Sequence, residues 1–145
     1  MFVIKNLMFS VMALGLAMTA NAQEQTLQKE EIPVEITSFI EQHFSSTEVM
    51  NAKKEKDEME VSYEVELQDG TELEFNENKE VVSIDNDSPL PESVIPPLLL
   101  DYVNSQYPGK KITSWELDDN EQQLELDDDT ELVFDTGGNF IREDD

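Results

Sequence analysis

The chain has no cysteine among its 145 residues, and it carries one histidine, one tryptophan and five glycines. Without thiols there is no disulfide, no thiolate metal centre and no cysteine nucleophile. The lipid-bearing cysteine of a bacterial lipoprotein is excluded as well. Basic residues are also scarce: nine Lys and Arg stand against 34 Asp and Glu, a net charge of −25. A field of that sign repels nucleic acid and anionic membrane surfaces, and it attracts cations and basic proteins. Neither a Gly-x-Ser-x-Gly, a His-Glu-x-x-His nor a phosphate-loop pattern occurs. Stability has to come from packing alone.

What is present begins with Lys5, a mostly apolar stretch from Leu7 to Met18, and the small-residue triplet Ala20-Asn21-Ala22. Together these read as a secretory signal peptide over residues 1–22, with cleavage after Ala22. The apolar stretch is shorter than the roughly 20 residues a membrane helix needs, and Gln23-Glu24-Gln25 follows at once. The expectation is export, to the periplasm or beyond it, with no membrane insertion after cleavage. The remaining residues suffice for one ordinary domain.

Two stretches then follow one script. Ile32-Pro33-Val34-Glu35-Ile36, continuing through Phe39-Ile40 to Phe44, is matched 63 residues later by Ile95-Pro96-Pro97-Leu98-Leu99, continuing through Tyr102-Val103 to Tyr107. Val65 to Phe75 is matched 59 residues later by Leu124 to Phe134. A longer hairpin between Lys53 and Ser62 accounts for the difference. Proline in the first turn and apolar residues at helical spacing predict that each copy opens with a helix. Alternating runs then predict strands: Val49–Lys54, Met59–Leu67, Thr71–Phe75 and Val81–Ile84, with counterparts Ile112–Leu117, Gln122–Leu126, Thr130–Phe134 and Asn139–Arg142. The acids alternate with apolar residues instead of forming blocks, which argues for a folded sheet and against acidic disorder. The expected fold is α+β: two helix-plus-four-strand repeats forming one antiparallel sheet of about eight strands, with the helices packed on one face. Residues 23–31 are expected as a flexible segment, 32–85 as the first repeat, 86–93 as a linker and 94–145 as the second repeat, the two forming one unit.

The run Tyr107-Pro108-Gly109-Lys110-Lys111-Ile112, followed by a hairpin and then Leu124-Glu125-Leu126-Asp127-Asp128-Asp129-Thr130-Glu131-Leu132-Val133-Phe134 and Gly137-Gly138-Asn139-Phe140, resembles the PepSY-like family of small exported proteins. The likeness spans about Ile32 to Asp145; the first copy is looser, and Asp129 stands where Gly70 stands. It implies a fold like that of the β-lactamase inhibitory protein, an envelope location, and a role in inhibition or protein binding, sometimes with calcium. It supplies no catalytic residue.

Candidate chemistry follows from where the acids fall. His43 is matched by Gln106 in the second copy, so no histidine dyad recurs, and the chain is read as non-enzymatic. If Tyr63, Val65, Leu67, Leu73 and Phe75 face the helices, Glu64, Glu66, Glu72 and Glu74 share the other face; in the second copy Glu125, Asp127 and Glu131 do the same. Like charges on neighbouring strands cost about 0.2–1 kcal/mol per pair, so such a face calls for neutralisation. Three answers compete. Lys53, Lys54 and Lys56 could lie beside Glu64 and Glu66, leaving the second copy the less compensated. A basic or hydrolytic envelope protein could bind the face at Glu125, Asp127 and Glu131, with Trp115 or Tyr102 as aromatic anchor; the competing reading of Trp115 is a core residue. Calcium could bind Asp127, Asp128 and Asp129 with Asp118, Asp119 or Asp135 nearby, although no EF-hand spacing is present. No other cofactor is required.

Overall fold

The computed structural model describes residues 23–144, so the expected signal peptide lies outside the described residues. Among the described residues nine strands form one antiparallel sheet in chain order. They are β1 (Gln23–Thr26), β2 (Val49–Lys56), β3 (Val61–Leu67), β4 (Glu72–Phe75), β5 (Val81–Asp85), β6 (Ile112–Leu117), β7 (Glu121–Leu126), β8 (Glu131–Asp135) and β9 (Phe140–Asp144). Helix α1 (Val34–His43) lies between β1 and β2, and α2 (Pro97–Gln106) lies between β5 and β6. The fold is therefore α+β, with one strand more than the eight the sequence led us to expect. The ninth is β1, in the segment expected to be flexible; its register runs from Gln23 opposite Lys56 to Thr26 opposite Lys53.

Both helices start and stop by the same local rules. Pro33 and Pro96 sit at the N-caps with φ near −53° and −52°, an angle their rings impose and a helix start accepts. Each helix ends where Phe44 or Tyr107 turns to φ −131° and donates its N–H to the carbonyl of Ile40 or Val103. Asp57 and Asp118 close the β2–β3 and β6–β7 hairpins alike, each Oδ1 accepting two backbone N–H groups. The extra residues of the first hairpin lengthen β2 to eight residues against six in β6. Irregularities in register also fall at matching places: between Val49 and Asn51 and between Ile112 and Ser114, then at Glu74/Phe75 and Val133/Phe134. Gly70 (φ +92°) and Asp129 (φ +70°) both take the left-handed turn position, so the aspartate keeps the turn the glycine makes.

Antiparallel partners share a face, and Leu73, Ile84, Trp115, Leu124 and Leu132 are joined in one continuous cross-strand line. Phe75 and Phe134 lie two residues along from that line. Phe39 of α1 meets Phe75 edge-on at 5.6 Å, and Tyr102 of α2 meets Phe134 edge-on at 5.3 Å. Both helices therefore cover the same face. The buried side chains of the two halves form one core, with Phe75, Phe134, Ile36, Leu99 and Leu132 fully enclosed. Each such side chain contributes about 1.5–3 kcal/mol by leaving water. The segment between the halves is tied down as well: Asn86 Nδ2 donates to Thr71 Oγ1, and Leu90 N–H donates to Ile112 O.

Candidate functional site

The face of the sheet away from the helices is built by period-two alternation. One cross-strand row runs from Lys53 on β2 through Glu64 on β3, Glu74 on β4, Ser83 on β5 and Glu116 on β6 to Gln123 on β7. A neighbouring row links Glu66, Glu72, Asp85, Ser114, Glu125 and Glu131. Adjacent strands stand about 4.8 Å apart, so Glu64 and Glu74 are immediate neighbours and Glu116 lies two strands further on.

Lysine compensation is thinner than the sequence suggested. Lys53 is on this face, opposite Glu64, and its ammonium is 3.4 Å from Glu24. Lys54 and Lys56 alternate with it and share the helix side with Ala52; the Lys54 ammonium lies 5.8 Å from the centre of the Tyr63 ring. In the second half Arg142 reaches Glu121 at 3.0 Å and Asp144 at 3.2 Å, and Lys110 reaches Asp128 at 3.2 Å. Glu64, Glu74 and Glu116, on β3, β4 and β6, thus share one row with Lys53 as its basic member.

The consequence is electrostatic. Burial, then the facing Glu74, push the Glu64 carboxyl up to about 7, with Lys53 pulling the other way. Glu74 is pushed up to about 7 by burial and then by Glu116, Glu60 and Glu55. Glu55 also reaches about 7, through burial, Glu64 and a hydrogen bond with Glu24. Glu116 is raised by burial, Asp118 and Asp85. Taking charged oxygens out of water while surrounding them with like charge favours the protonated form. Glu64 retains 8% exposure, and its Oε1 has no hydrogen-bond partner among the described residues.

The other residues singled out from sequence are dispersed. Glu125 and Glu131 face each other on β7 and β8, on the acidic side as expected. Asp127, Asp128 and Asp129 lie in the β7–β8 turn. Asp118, Asp119 and Asp135 lie at the opposite ends of those strands, about a strand length of 17–20 Å away. Their oxygens hold turns: Asp128 Oδ1 accepts Thr130 N–H, Asp118 Oδ1 accepts Asn120 and Glu121, and Asp135 Oδ1 accepts Gly137 and Asn139. Hydrogen bonds from the side chain and then the backbone of Thr130 hold the Asp128 carboxyl below the usual range, and bonds from Asn139 and Gly137 do the same for Asp135. The six do not converge, and no cluster of three or more metal-binding side chains occurs among the described residues. Trp115 is a core residue at 5% exposure, its Nε1–H donating to Gln122 Oε1, because its strand register sets it between Ile84 and Leu124. Tyr102 stacks on Phe140 at 4.6 Å on the helix side. Neither belongs to the acidic face.

Sequence reasoning missed one polar pair: His43 Nδ1 lies 2.9 Å from Ser93 Oγ, joining the end of α1 to the turn before α2. The pair is largely open to solvent, and the ring packs against Phe39 at 4.7 Å. No carboxylate orients it among the described residues, so the contact works as a tie between the halves.

Comparison with known proteins agrees with this architecture. The family model described as "Putative beta-lactamase-inhibitor-like, PepSY-like" matches residues 61–142. A "putative calcium-regulated periplasmic protein" from Bacteroides thetaiotaomicron is similar at 32% identity and a TM-score of 0.78, over 84% of this chain and 97% of that one. Two periplasmic proteins from Bacteroides vulgatus are also similar. One, of the DUF2874 family, has 29% identity and a TM-score of 0.80 over 85% and 98% of the chains. The other, of unknown function, has 33% identity and a TM-score of 0.78 over 85% and 100%. No curated protein sequence matches the chain. Among the described residues no helix is long and apolar enough to cross a membrane. With more than half its length matched by the family model, and with periplasmic proteins as its structural relatives, the chain belongs to the PepSY-like family and is an exported, periplasmic protein.

Proposed function

We propose that this protein is a duplicated, non-enzymatic binding module that holds a basic envelope protein against its acidic sheet face, as an inhibitor or adaptor. The observation that carries the reading is the Glu64–Glu74–Glu116 row: three carboxyls on one open sheet face with Lys53 as the cation in register beside them. Retaining such a row lowers the stability of the fold, and a cationic surface laid against it would recover that loss. Complementary charge would also speed encounter and select the partner by sign. The matched helices, hairpins and register shifts support the duplication. The test is capture from an envelope fraction at low and raised salt, using the wild type and a Glu64→Gln/Glu74→Gln/Glu116→Gln variant. A partner retained by wild type, released by salt and lost by the variant supports the reading; equal retention by both sinks it.

A second reading, that the fold tightens on calcium, is favoured by the likeness to the calcium-regulated relative. A ligand that binds the native state raises its melting temperature. A melting curve unmoved by millimolar calcium, compared with sodium at matched ionic strength, removes it.

A further inference from the structure

We propose that Glu64, Glu74 and Glu116 form a site for the arginine or lysine side chains of one extended basic segment, and that these cations enter in exchange for protons held by the carboxyls. The inference rests on the reading above and adds the ligand chemistry and its proton coupling. Glu64 Oε1 is buried at 8% residue exposure without a hydrogen-bond partner among the described residues. Its neighbour across the strand pair is another carboxyl, Glu74, which offers a donor only when protonated. Protonation of the pair, or an incoming cation, would supply that donor.

The surrounding charges favour that exchange. Glu24 on β1, Glu55 on β2, Glu72 on β4, Asp85 on β5, and Glu60 and Asp118 in the hairpins all act on the row, against Lys53. Lys53 is already engaged with Glu24. Ser83 and Gln123 are the neutral members of the row. The carboxyls fall about 5 and 10 Å apart across the strands, and alternate side chains of an extended peptide fall about 7 Å apart. Flexible arginine side chains span that mismatch, and a guanidinium can take both oxygens of one carboxylate. Burial and facing like charge raise the Glu64 and Glu74 carboxyls to about 7, so pairing them with guanidinium near that pH releases protons.

The experiment is calorimetric titration of the exported, processed protein with a blocked peptide of alternating arginine and serine, in two buffers of different ionisation enthalpy, at pH 6, 7 and 8 and constant ionic strength. The control peptide carries citrulline for arginine. The expected result is net proton release on binding at pH 7 and an affinity at least about tenfold tighter at pH 8 than at pH 6, both lost in Glu64→Gln/Glu74→Gln. Circular dichroism checks that this variant is folded; if it is not, Glu116→Gln replaces it and should weaken the release in part. Binding without proton release, or release unchanged in the variants, overturns the exchange and leaves the binding module standing. Failure of the wild type to prefer arginine over citrulline overturns both.

Discussion

The acidic row makes an unusual demand on stability that can be measured without knowing any partner. Glu64 rises from an ordinary 4.5 to about 7 in the folded chain. A carboxyl with a raised folded pKa holds its proton more tightly when folded, so its contribution favours the native state at low pH and is lost as pH climbs from about 4.5 through about 7. At 1.36 kcal/mol per pH unit, the full interval amounts to on the order of 3 kcal/mol for Glu64. Glu74 lies in the same range but shares its origin with Glu64, so the two contributions do not simply add. The lowered carboxyls Asp128 and Asp135 act in the opposite sense, but below their ordinary 3.8, outside this window. Urea unfolding of the processed protein at pH 5, 6, 7 and 8 should therefore show stability falling by a few kcal/mol from pH 5 to pH 8. Glu64→Gln should flatten the fall and be the more stable protein at pH 8. A wild-type curve that is flat or rises across this interval refutes the reasoning.

Three further outcomes test the architecture. Leu132→Ala empties a fully enclosed position beside Leu124 and should cost about 2–5 kcal/mol; because the two halves share one core, melting followed by tryptophan fluorescence and by circular dichroism should move together as one transition. Trp115→Phe leaves Gln122 Oε1 without its buried donor and should cost about 1–3 kcal/mol in urea unfolding. Asp129→Gly removes the cost of a left-handed side-chain-bearing residue, partly offset by the freedom glycine gains on unfolding, and should stabilise the chain by about 0.5–1 kcal/mol in the same assay.

Most of this fold was legible because its faces obey a period of two and its helices open on proline. Val65, Leu67, Leu73 and Phe75 alternate cleanly with Glu64, Glu66, Glu72 and Glu74, and each set went where alternation sends it. Strand β1 escaped because Gln23-Glu24-Gln25-Thr26 has no apolar residue; all four residues are exposed, and backbone pairing with β2 makes it a strand. The six aspartates are near one another in sequence, whereas β7 and β8 carry them to opposite ends of those strands. Trp115 needed the pairing between the halves, because only the β5–β6 register places it against Ile84. The same register brings Glu116 into line with Glu74 through Ser83, a relation that joins residues far apart in the chain and that no local pattern encodes.

If this one face, and not acidity in general, makes the proposed binding surface, changing it and changing acids elsewhere should have different effects. Two triple variants, each replacing three acids, separate the possibilities. Glu64→Gln/Glu74→Gln/Glu116→Gln alters the face, and Glu35→Gln/Glu41→Gln/Asp101→Asn alters exposed positions on the helices. In capture from the envelope fraction at one ionic strength, the helix variant should retain the wild-type partner while the face variant loses it. Equal retention, or equal loss, by the two variants would contradict it.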